Sequence, residues 1–401
     1  MNGTMLSFDE AYEKLLGFAR PVREIEQVDT MFAAGRVLAV AQFSTIDQPP
    51  MDNSGMDGYA LRAADVPVAG TRLPVSQRIP AGSVGHELAP GTAARIFTGA
   101  PLPQGADAVV MQELCDHDGA EVIINTVPRS GEAVRRMGED IARGELILPA
   151  GERLTPQAVA LAASVGLAQL PVLRRVKVAM FSTGSELVMP GEPLPPGGIY
   201  NSNRYMLRSL LVGLGCEVED FGIVPDRLDA TREVLRRAAQ GHDLILTSGG
   251  VSVGEEDHVK PAVEAEGSLD MWKIAMKPGK PLAYGHVAGA AFIGLPGNPV
   301  SSFVTFLMMV RPFLLATQGL REVAPAALAL RADFDWPRPD RRREFLRARM
   351  NSQGGVELFD NQGSAALNST VWANGLVDIP AATSVKRGES VRFLPYGDLL
   401  H

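Results

Sequence analysis

Residues 243–303 constrain the fold most, because short apolar runs alternate there with loops rich in glycine and proline. The apolar run 243–247 is followed by Ser-Gly-Gly, and the apolar run 291–295 is followed by Pro-Gly-Asn-Pro. Between them lies the sequence Lys-Pro-Gly-Lys-Pro at 277–281. Buried strands followed by such loops are typical of an α/β domain whose ligand site lies at the carboxyl ends of the strands.

The loops of this stretch carry groups that hold anions. Asn298 suits an N-cap and Pro299 suits the first position of a helix, whose unpaired N–H groups would face the strand ends. The candidate ligand-binding residues are Ser248, Gly249, Gly250, Ser252, Pro296, Gly297, Asn298, Pro299 and Ser301, with positive charge from Lys273, Lys277 and Lys280. Alternatively, each motif alone fits an ordinary turn, and Lys273 alternates with apolar residues as in a structural strand.

Three carboxylates follow predicted strands or the glycine loop after one of them: Glu186, Asp226 and Asp257. The carboxyl ends of parallel strands meet at one edge of a sheet, so these side chains are predicted to converge. Oxygen ligands suit a hard divalent cation, which makes Mg²⁺ the predicted metal. Any one of the three also fits a solvated loop acid or a helix cap.

Composition excludes several classes of protein. The chain of 401 residues has 38 Lys and Arg against 46 Asp and Glu, a net charge of −8, which argues against a general binder of nucleic acid or anionic membranes. Two cysteines in unlike contexts predict a reducing compartment. The acidic N-terminus does not suit a signal peptide, and no apolar run suits a membrane span, so a cytoplasmic protein is expected.

The rest of the chain divides by composition. Residues 174–325 predict an α/β domain with a mostly parallel sheet, residues 44–144 a β-rich inserted domain, and residues 326–401 a small C-terminal β-barrel. Residues 1–43 and 145–173 flank the insert. Ser7 and Glu10 form a capping box that predicts an N-terminal helix.

The motifs at residues 247–254, 276–281 and 294–301 resemble those of the molybdopterin molybdenumtransferases, bacterial relatives of the gephyrin C-terminal domain. The resemblance covers nearly all of the chain. It implies an enzyme that takes adenylylated molybdopterin and molybdate, cleaves the pyrophosphate link with Mg²⁺, and releases molybdenum cofactor and AMP. It also implies that residues 1–43 with 145–173 form an elongated dimerisation segment. A molybdopterin adenylyltransferase is a candidate partner, and the sequence leaves open which partner delivers the substrate.

The same resemblance assigns site residues. It implies a homodimer with a shared active site, one wall of which the other subunit supplies through Asp57, Thr98, Arg136 and Asp140. Arg342 and Ser369 would contact the oxyanion. The implied catalytic residues are Asp57, Asp140, Glu186, Asp226, Asp257, Lys277 and Lys280. Where the family often has an Asp before the glutamate, this chain has Ser185, so weakened or redistributed metal contacts are expected there.

Other interpretations stay open at this stage. Composition alone also fits ordinary turns at Asp57 and Thr98 and a solvated charge run at 341–343. A molybdopterin adenylyltransferase shares the Ser-Gly-Gly unit but is typically a single α/β domain. A non-catalytic, gephyrin-like scaffold is the second alternative.

Overall fold

The computed structural model describes residues 5–250 and 258–400. Two predicted site residues, Ser252 and Asp257, therefore lie outside the described residues. The α-helices in chain order are α1 (Phe8–Phe18), α2 (Pro156–Ser164), α3 (Ser202–Gly213), α4 (Leu228–Ala238), α5 (Val259–Glu266), α6 (Pro299–Thr305), α7 (Arg311–Thr317), α8 (Asn368–Trp372) and α9 (Tyr396–Leu399).

The strands of the first half, also in chain order, are β1 (Ile25–Asp29), β2 (Gln42–Phe43), β3 (Asn53–Ser54), β4 (Gly58–Leu61), β5 (Thr71–Ile79), β6 (Ala93–Ile96), β7 (Ala108–Met111), β8 (Cys115–Asp118), β9 (Glu121–Ile124), β10 (Val134–Arg135), β11 (Leu146–Leu148) and β12 (Gln169–Leu173). Short 3₁₀ helices cover Thr30–Phe32, Ala63–Asp65 and Gln112–Leu114.

The strands of the second half are β13 (Lys177–Thr183), β14 (Leu187–Val188), β15 (Ile199–Tyr200), β16 (Glu217–Val224), β17 (Leu244–Ser248), β18 (Gly267–Lys273), β19 (Met276–Lys277), β20 (Pro281–Val287), β21 (Ala290–Leu295), β22 (Leu328–Ala332), β23 (Arg343–Met350), β24 (Gly355–Leu358), β25 (Gly375–Ile379) and β26 (Ser390–Pro395).

The central sheet of the α/β domain is mixed. Its strand order is β16-β13-β17-β21-β20-β18; the first four strands are mutually parallel, and β20 and β18 are antiparallel to their neighbours. The predicted mostly parallel sheet therefore misses the β20-β21 hairpin. Ala288 and Gly289 turn that hairpin with φ of 45° and 94°, so the turn has the left-handed backbone of a tight hairpin without the usual Asn-Gly signal.

Helices cover both faces of this sheet. Alternate residues of β17 separate the two cores, with Leu244 and Leu246 in one and Ile245 in the other. The first core also contains α1, α3 and the segment 299–317, and the second contains α4 and α5. Burial on both faces explains why β17 begins with three consecutive apolar residues rather than alternating apolar and polar ones.

One long helix runs through the first core. It comprises α6, a π-helical turn at Phe306–Val310, and α7. Pro312 follows the π-helical turn and has no N–H to donate to the preceding turn, which explains the local change of winding. The helix is long and apolar enough to cross a membrane by length and composition, but 94% of its apolar window is buried inside the protein.

The C-terminal region forms the predicted β-barrel. Strands β23, β24, β22, β26 and β25 follow one another around the sheet, and β25 pairs back with β23 to close it. Closure leaves no free edge in the barrel. Strand β19 of the α/β domain pairs in parallel with the start of β23, so the Lys-Pro-Gly-Lys loop is attached to the barrel by backbone hydrogen bonds.

The first half of the chain contains an insert and the segments that flank it. The insert is a six-stranded sheet in the order β7-β4-β6-β5-β9-β8. In the flanking segments β1 pairs with β12, and β2 pairs with β11. The predicted capping box of α1 is present, because the Glu10 N–H donates to Ser7 Oγ (3.2 Å) and the Ser7 N–H donates to Glu10 Oε2 (2.8 Å).

Arg174 forms ion pairs with Glu24 of the N-terminal flanking segment and with Asp243 of the central sheet, at the end opposite the strand carboxyl termini. Arg174 donates to both carboxylate oxygens of Asp243, at 2.7 and 2.9 Å, and the Lys177 N–H donates to the same carboxylate at 2.8 Å. Burial alone would raise the pKa of Asp243, but these hydrogen bonds outweigh it and lower that pKa.

We expect Asp243→Asn to lower the free energy of unfolding by about 2–3 kcal/mol at pH 7, because the Arg174 guanidinium loses a charged partner. The stabilisation by Asp243 is complete above the unfolded-state pKa of about 4 and is lost as the pH falls below it. Denaturant titrations of both proteins between pH 3 and 7 are the measurement. Asp229→Asn, which breaks an exposed pair with Arg227, is the control and should change stability little. Equal losses in the two variants would contradict the assignment.

Candidate active site

A cavity of about 690 Å³ lies where β13, β16, β17 and β21 end, and the C-terminal barrel closes one side of it. Its volume is that of a typical small-molecule site. The predicted residues that line it are Glu186, Asp226, Gly249, Gly250, Lys277, Lys280, Pro296, Gly297, Asn298, Ser301 and Arg342. The structure thus brings together loops that are more than 100 residues apart in the chain.

The glycines of the Ser-Gly-Gly loop are required by their surroundings. Gly249 and Gly250 have φ of 88° and 66°. A Cβ on Gly250 would lie 2.4 Å from Val259 Cγ2 and 2.8 Å from Thr183 Oγ1. The Gly249 N–H already donates to the Leu295 carbonyl at 3.1 Å, so it holds two strand ends together and is not available to a ligand.

The start of α6 offers one backbone donor to the cavity. Asn298 occupies the predicted N-cap and Pro299 the first position, but the Asn298 side chain makes no capping bond and lines the cavity instead. The Val300 N–H donates to the Ser364 carbonyl (3.1 Å), and the Ser302 N–H donates to the Asn298 carbonyl (2.9 Å). Within the described chain, Ser301 is therefore the first-turn residue whose N–H has no acceptor.

The cations of the cavity differ in their partners. Lys277 Nζ donates to Glu344 Oε1 at 2.9 Å and lies 3.4 Å from Asp340 Oδ2. Arg342 binds both oxygens of Asp340 and holds the pKa of that carboxyl well below its usual range. Lys280 has no ion pair among the residues the structure describes. Lys280 is consequently the cation with the most uncompensated charge in the cavity.

Two of the three predicted metal-binding carboxylates line the cavity. Asp226 follows β16, and Glu186 follows β13 with its carboxylate folded back over Gly184. Neither carboxylate has a hydrogen bond or an ion pair among the described residues. No group of three acidic, histidine or cysteine side chains that could hold a metal occurs in that part of the chain.

The barrel contributes residues that were not among the predicted site residues. Gln362, Gly363 and Ser364 line the cavity. Arg347, which is fully buried, supports this loop from behind by donating to the Gly363 carbonyl (3.3 Å). Burial lowers the pKa of Arg347 to about 10. The Gln-Gly-Ser sequence after an arginine-rich strand could have indicated these lining residues, but only the fold shows that this sequence lies opposite α6.

Several predicted site residues lie outside the lining of the cavity. Ser248 is buried within β17, and Pro299 begins α6. Lys273 is exposed on β18, the antiparallel edge strand, which agrees with the alternative that Lys273 belongs to a structural strand. Ser369 is buried in the barrel, where its Oγ accepts from Arg347 Nε (3.1 Å) and donates to the Ala366 carbonyl (2.6 Å). It therefore supports Arg347 and does not face the cavity.

The four residues assigned to the partner-facing wall lie in or beside the inserted sheet. Asp57 accepts from the Thr98 N–H (2.8 Å) and from Thr98 Oγ1 (2.7 Å). The backbone bond is the larger cause of a lowered pKa at Asp57. Arg136 donates to Asp52 (2.6 Å), and the Asp140 N–H donates to the Gln48 carbonyl (3.0 Å). None of the four lines the cavity formed within a single chain.

Gly279 provides a test of how tightly the Lys-Pro-Gly-Lys loop packs against α6. It has φ of 102°, and a Cβ there would lie 2.2 Å from Thr305 Oγ1 in α6. We expect Gly279→Ala to lower the free energy of unfolding by about 1–3 kcal/mol more than Gly289→Ala does, because of overpacking. Gly289 is the matched control, since its φ is 94° with no atom within 4 Å of the added Cβ. Equal losses in denaturant titrations would show that the loop moves freely away from the helix.

Comparison with known proteins agrees with this geometry. Family models match residues 6–166 (MoeA N-terminal region, domain I and II), 179–316 (probable molybdopterin binding domain) and 329–396 (MoeA C-terminal region, domain IV). A molybdopterin molybdenumtransferase of Haemophilus influenzae is 38% identical over 99% of this chain and 100% of its own. Molybdopterin molybdenumtransferase 2 of Mycobacterium tuberculosis is 41% identical over 87% of this chain and 89% of its own. A crystal structure of the molybdopterin biosynthesis MoeA protein of Pyrococcus horikoshii superposes with a TM-score of 0.86 at 30% identity, covering 98% of this chain and 100% of that one. The chain therefore belongs to the molybdopterin molybdenumtransferase (MoeA) family.

Proposed function

We propose that this protein transfers molybdenum from molybdate to adenylylated molybdopterin and releases AMP and molybdenum cofactor. The observation that carries the proposal is the cavity at the strand ends, which is lined both by anion-binding groups and by two carboxylates that have no partner among the described residues. Matches to the MoeA N-terminal and C-terminal regions favour this activity over that of a single-domain adenylyltransferase. An adenylyltransferase partner is then the expected source of the substrate, and the cytoplasm the expected compartment.

The chain's own residues would bind the anionic parts of the substrates. Ser301 offers a backbone N–H at a helix start, where the helix dipole favours negative charge. Lys280 would attract phosphate or molybdate with a charge that no described carboxylate neutralises. Lys277 is already held by Glu344 and Asp340, so we propose that it orients a bound anion through its remaining N–H rather than attracting it from solution.

Glu186 and Asp226 fit a Mg²⁺ site that the substrate completes. Protein-bound Mg²⁺ commonly uses one or two carboxylates, retained water molecules and substrate phosphates. Two carboxylates without competing partners in the described chain, on the wall of a cavity of small-molecule size, match that donor set, and Asp257 would be a third ligand. When bound, the ion neutralises phosphate oxygens and makes a phosphoanhydride easier to cleave. Because Ser185 stands where the family often has Asp, Glu186 is the carboxylate that the loop between β13 and β14 offers to the ion.

The direct test is AMP release by purified protein supplied with adenylylated molybdopterin, molybdate and Mg²⁺. We expect Asp226→Asn and Lys280→Ala each to reduce kcat/KM about 10²-fold or more, because each removes a charge that acts on the phosphates. Lys386→Ala, at an exposed barrel position, is the control. Absence of AMP release by the unaltered protein would remove the enzymatic function and favour a scaffold.

A homodimer is the second part of the proposal. Large apolar side chains are exposed on the segments that flank the insert, where Met31 and Phe32 are 77% and 74% exposed and Phe43 faces Leu146 across a strand pair. These two exposed apolar pairs, Met31 with Phe32 and Phe43 with Leu146, support a protein interface on the flanking segments. A second copy seated there would form a symmetric dimer, and we propose that it presents Asp57, Thr98, Arg136 and Asp140 to the cavity of its neighbour.

Mixing two inactive variants tests the shared site. If Asp57 acts across the dimer, Asp57→Asn mixed with Asp226→Asn gives heterodimers with one intact site, and random exchange restores about a quarter of normal activity. Asp57→Asn mixed with Asp140→Asn is the matched control, because every site then has a defective wall. An inactive first mixture would contradict sharing, and full activity of Asp57→Asn alone would remove Asp57 from the site.

A further inference from the structure

A second cavity lies on the inserted domain, away from the strand ends of the α/β domain. It has a volume of about 750 Å³ and is lined by side chains of β4, β5, β6 and β8 and of the 3₁₀ helix Gln112–Leu114. Two arginines, Arg78 and Arg95, face it together with His117, Gln77 and Ser76, and no acidic side chain is among its described lining residues. A cavity of this character is unexpected in a chain with a net charge of −8.

The two arginines are direct neighbours on the sheet. Arg78 of β5 is the register partner of Arg95 of β6, so both side chains project from the same face. Like charges directly opposite each other on a sheet are destabilising. Neither guanidinium forms an ion pair with any residue in the described chain. An anion held between them would remove the repulsion.

Aromatic stacking fixes both guanidinium groups in place. Each has its Cζ 4.7 Å from the centre of the Phe97 ring, and Arg95 also lies 5.2 Å from the Tyr59 ring. Arg95 is held further by bonds to the Gly58 carbonyl (3.1 Å) and Gln112 Oε1 (2.6 Å). Stacking leaves the guanidinium edge of Arg78, which has no hydrogen bond to the described chain, free for planar, bidentate bonding to phosphate, and Arg95 keeps the N–H groups that Gly58 and Gln112 do not use.

We propose that Arg78 and Arg95 form a second anion site that binds the phosphate group of a small phosphorylated molecule of mononucleotide size. The cavity is large enough for such a ligand, and its arginine pair supplies the forked donors that a phosphate dianion accepts. Cys115, on the cavity wall, adds no competing charge because burial raises the pKa of its thiol to about 11. The site lies next to the Asp57 turn, since Arg95 binds the carbonyl of Gly58. Phosphate binding at this second site does not depend on the proposed reaction.

The test is calorimetric titration of the full chain with inorganic phosphate, AMP and adenosine. Lys280→Gln serves as the background, so that anion binding in the first cavity is suppressed. We expect AMP and phosphate to bind and adenosine not to, and Arg78→Gln with Arg95→Gln to weaken AMP binding about tenfold or more. Arg72→Gln is the matched control, because Arg72 lies on the same strand but is paired with Asp118 and Glu121. It should bind as the background does.

Two results would overturn the site: AMP binding unchanged by the double substitution, or a polyglutamate peptide binding as tightly as AMP, which would mark a general acidic-partner surface. If the double variant does not fold, Arg78→Gln alone carries the test, since Arg78 is exposed and has no hydrogen bond to the described chain. AMP release by the unaltered protein is measured separately, so the proposed reaction and this site can fail independently.

Discussion

The whole site depends on one geometric constraint, namely that four parallel strands end at the same edge of the central sheet. Each strand must then turn away without colliding with its neighbour. At the end of β17 this is possible because Gly249 donates to the Leu295 carbonyl of β21, and Gly250 lies against Thr183 of β13 without a side chain of its own. The same absence of side chains that lets the loops meet also leaves the cavity open above them.

The barrel has a hydrophobic core of its own, but it completes this site through polar contacts with the α/β domain. Glu344, only 2% exposed at its side chain, accepts both from Lys277 and from Trp336 Nε1 (2.8 Å). The Ser364 carbonyl accepts from the Val300 N–H, the first N–H of α6. Two groups that a ligand would otherwise use are thus bound to the barrel, so the position of the barrel determines how much charge the cavity presents.

Local patterns in the sequence predicted the elements well. The Ser7–Glu10 capping box, the helix start at Asn298 and the alternating barrel strands are all features of neighbouring residues, and the structure contains them. What failed was long-range pairing. The β20-β21 hairpin lacks a typical turn dipeptide, and the partners of Lys277 lie more than 60 residues further along the chain. Neither spacing nor composition reports which carboxylate a lysine meets after folding.

The long helix at 299–317 limits how the chain can be divided. It is mostly apolar and 94% of its apolar window is buried. Its covering comes from distant parts of the sequence: the Thr317 carbonyl accepts from the Val22 N–H, Arg311 donates to the Asp398 carbonyl (2.8 Å), and Phe8 of α1 packs against Phe345 at 5.2 Å between ring centres. A truncated chain limited to the central domain would expose this helix to water and aggregate. Although three family models divide the sequence, the central domain can be expected to remain in solution only when both ends of the polypeptide are retained.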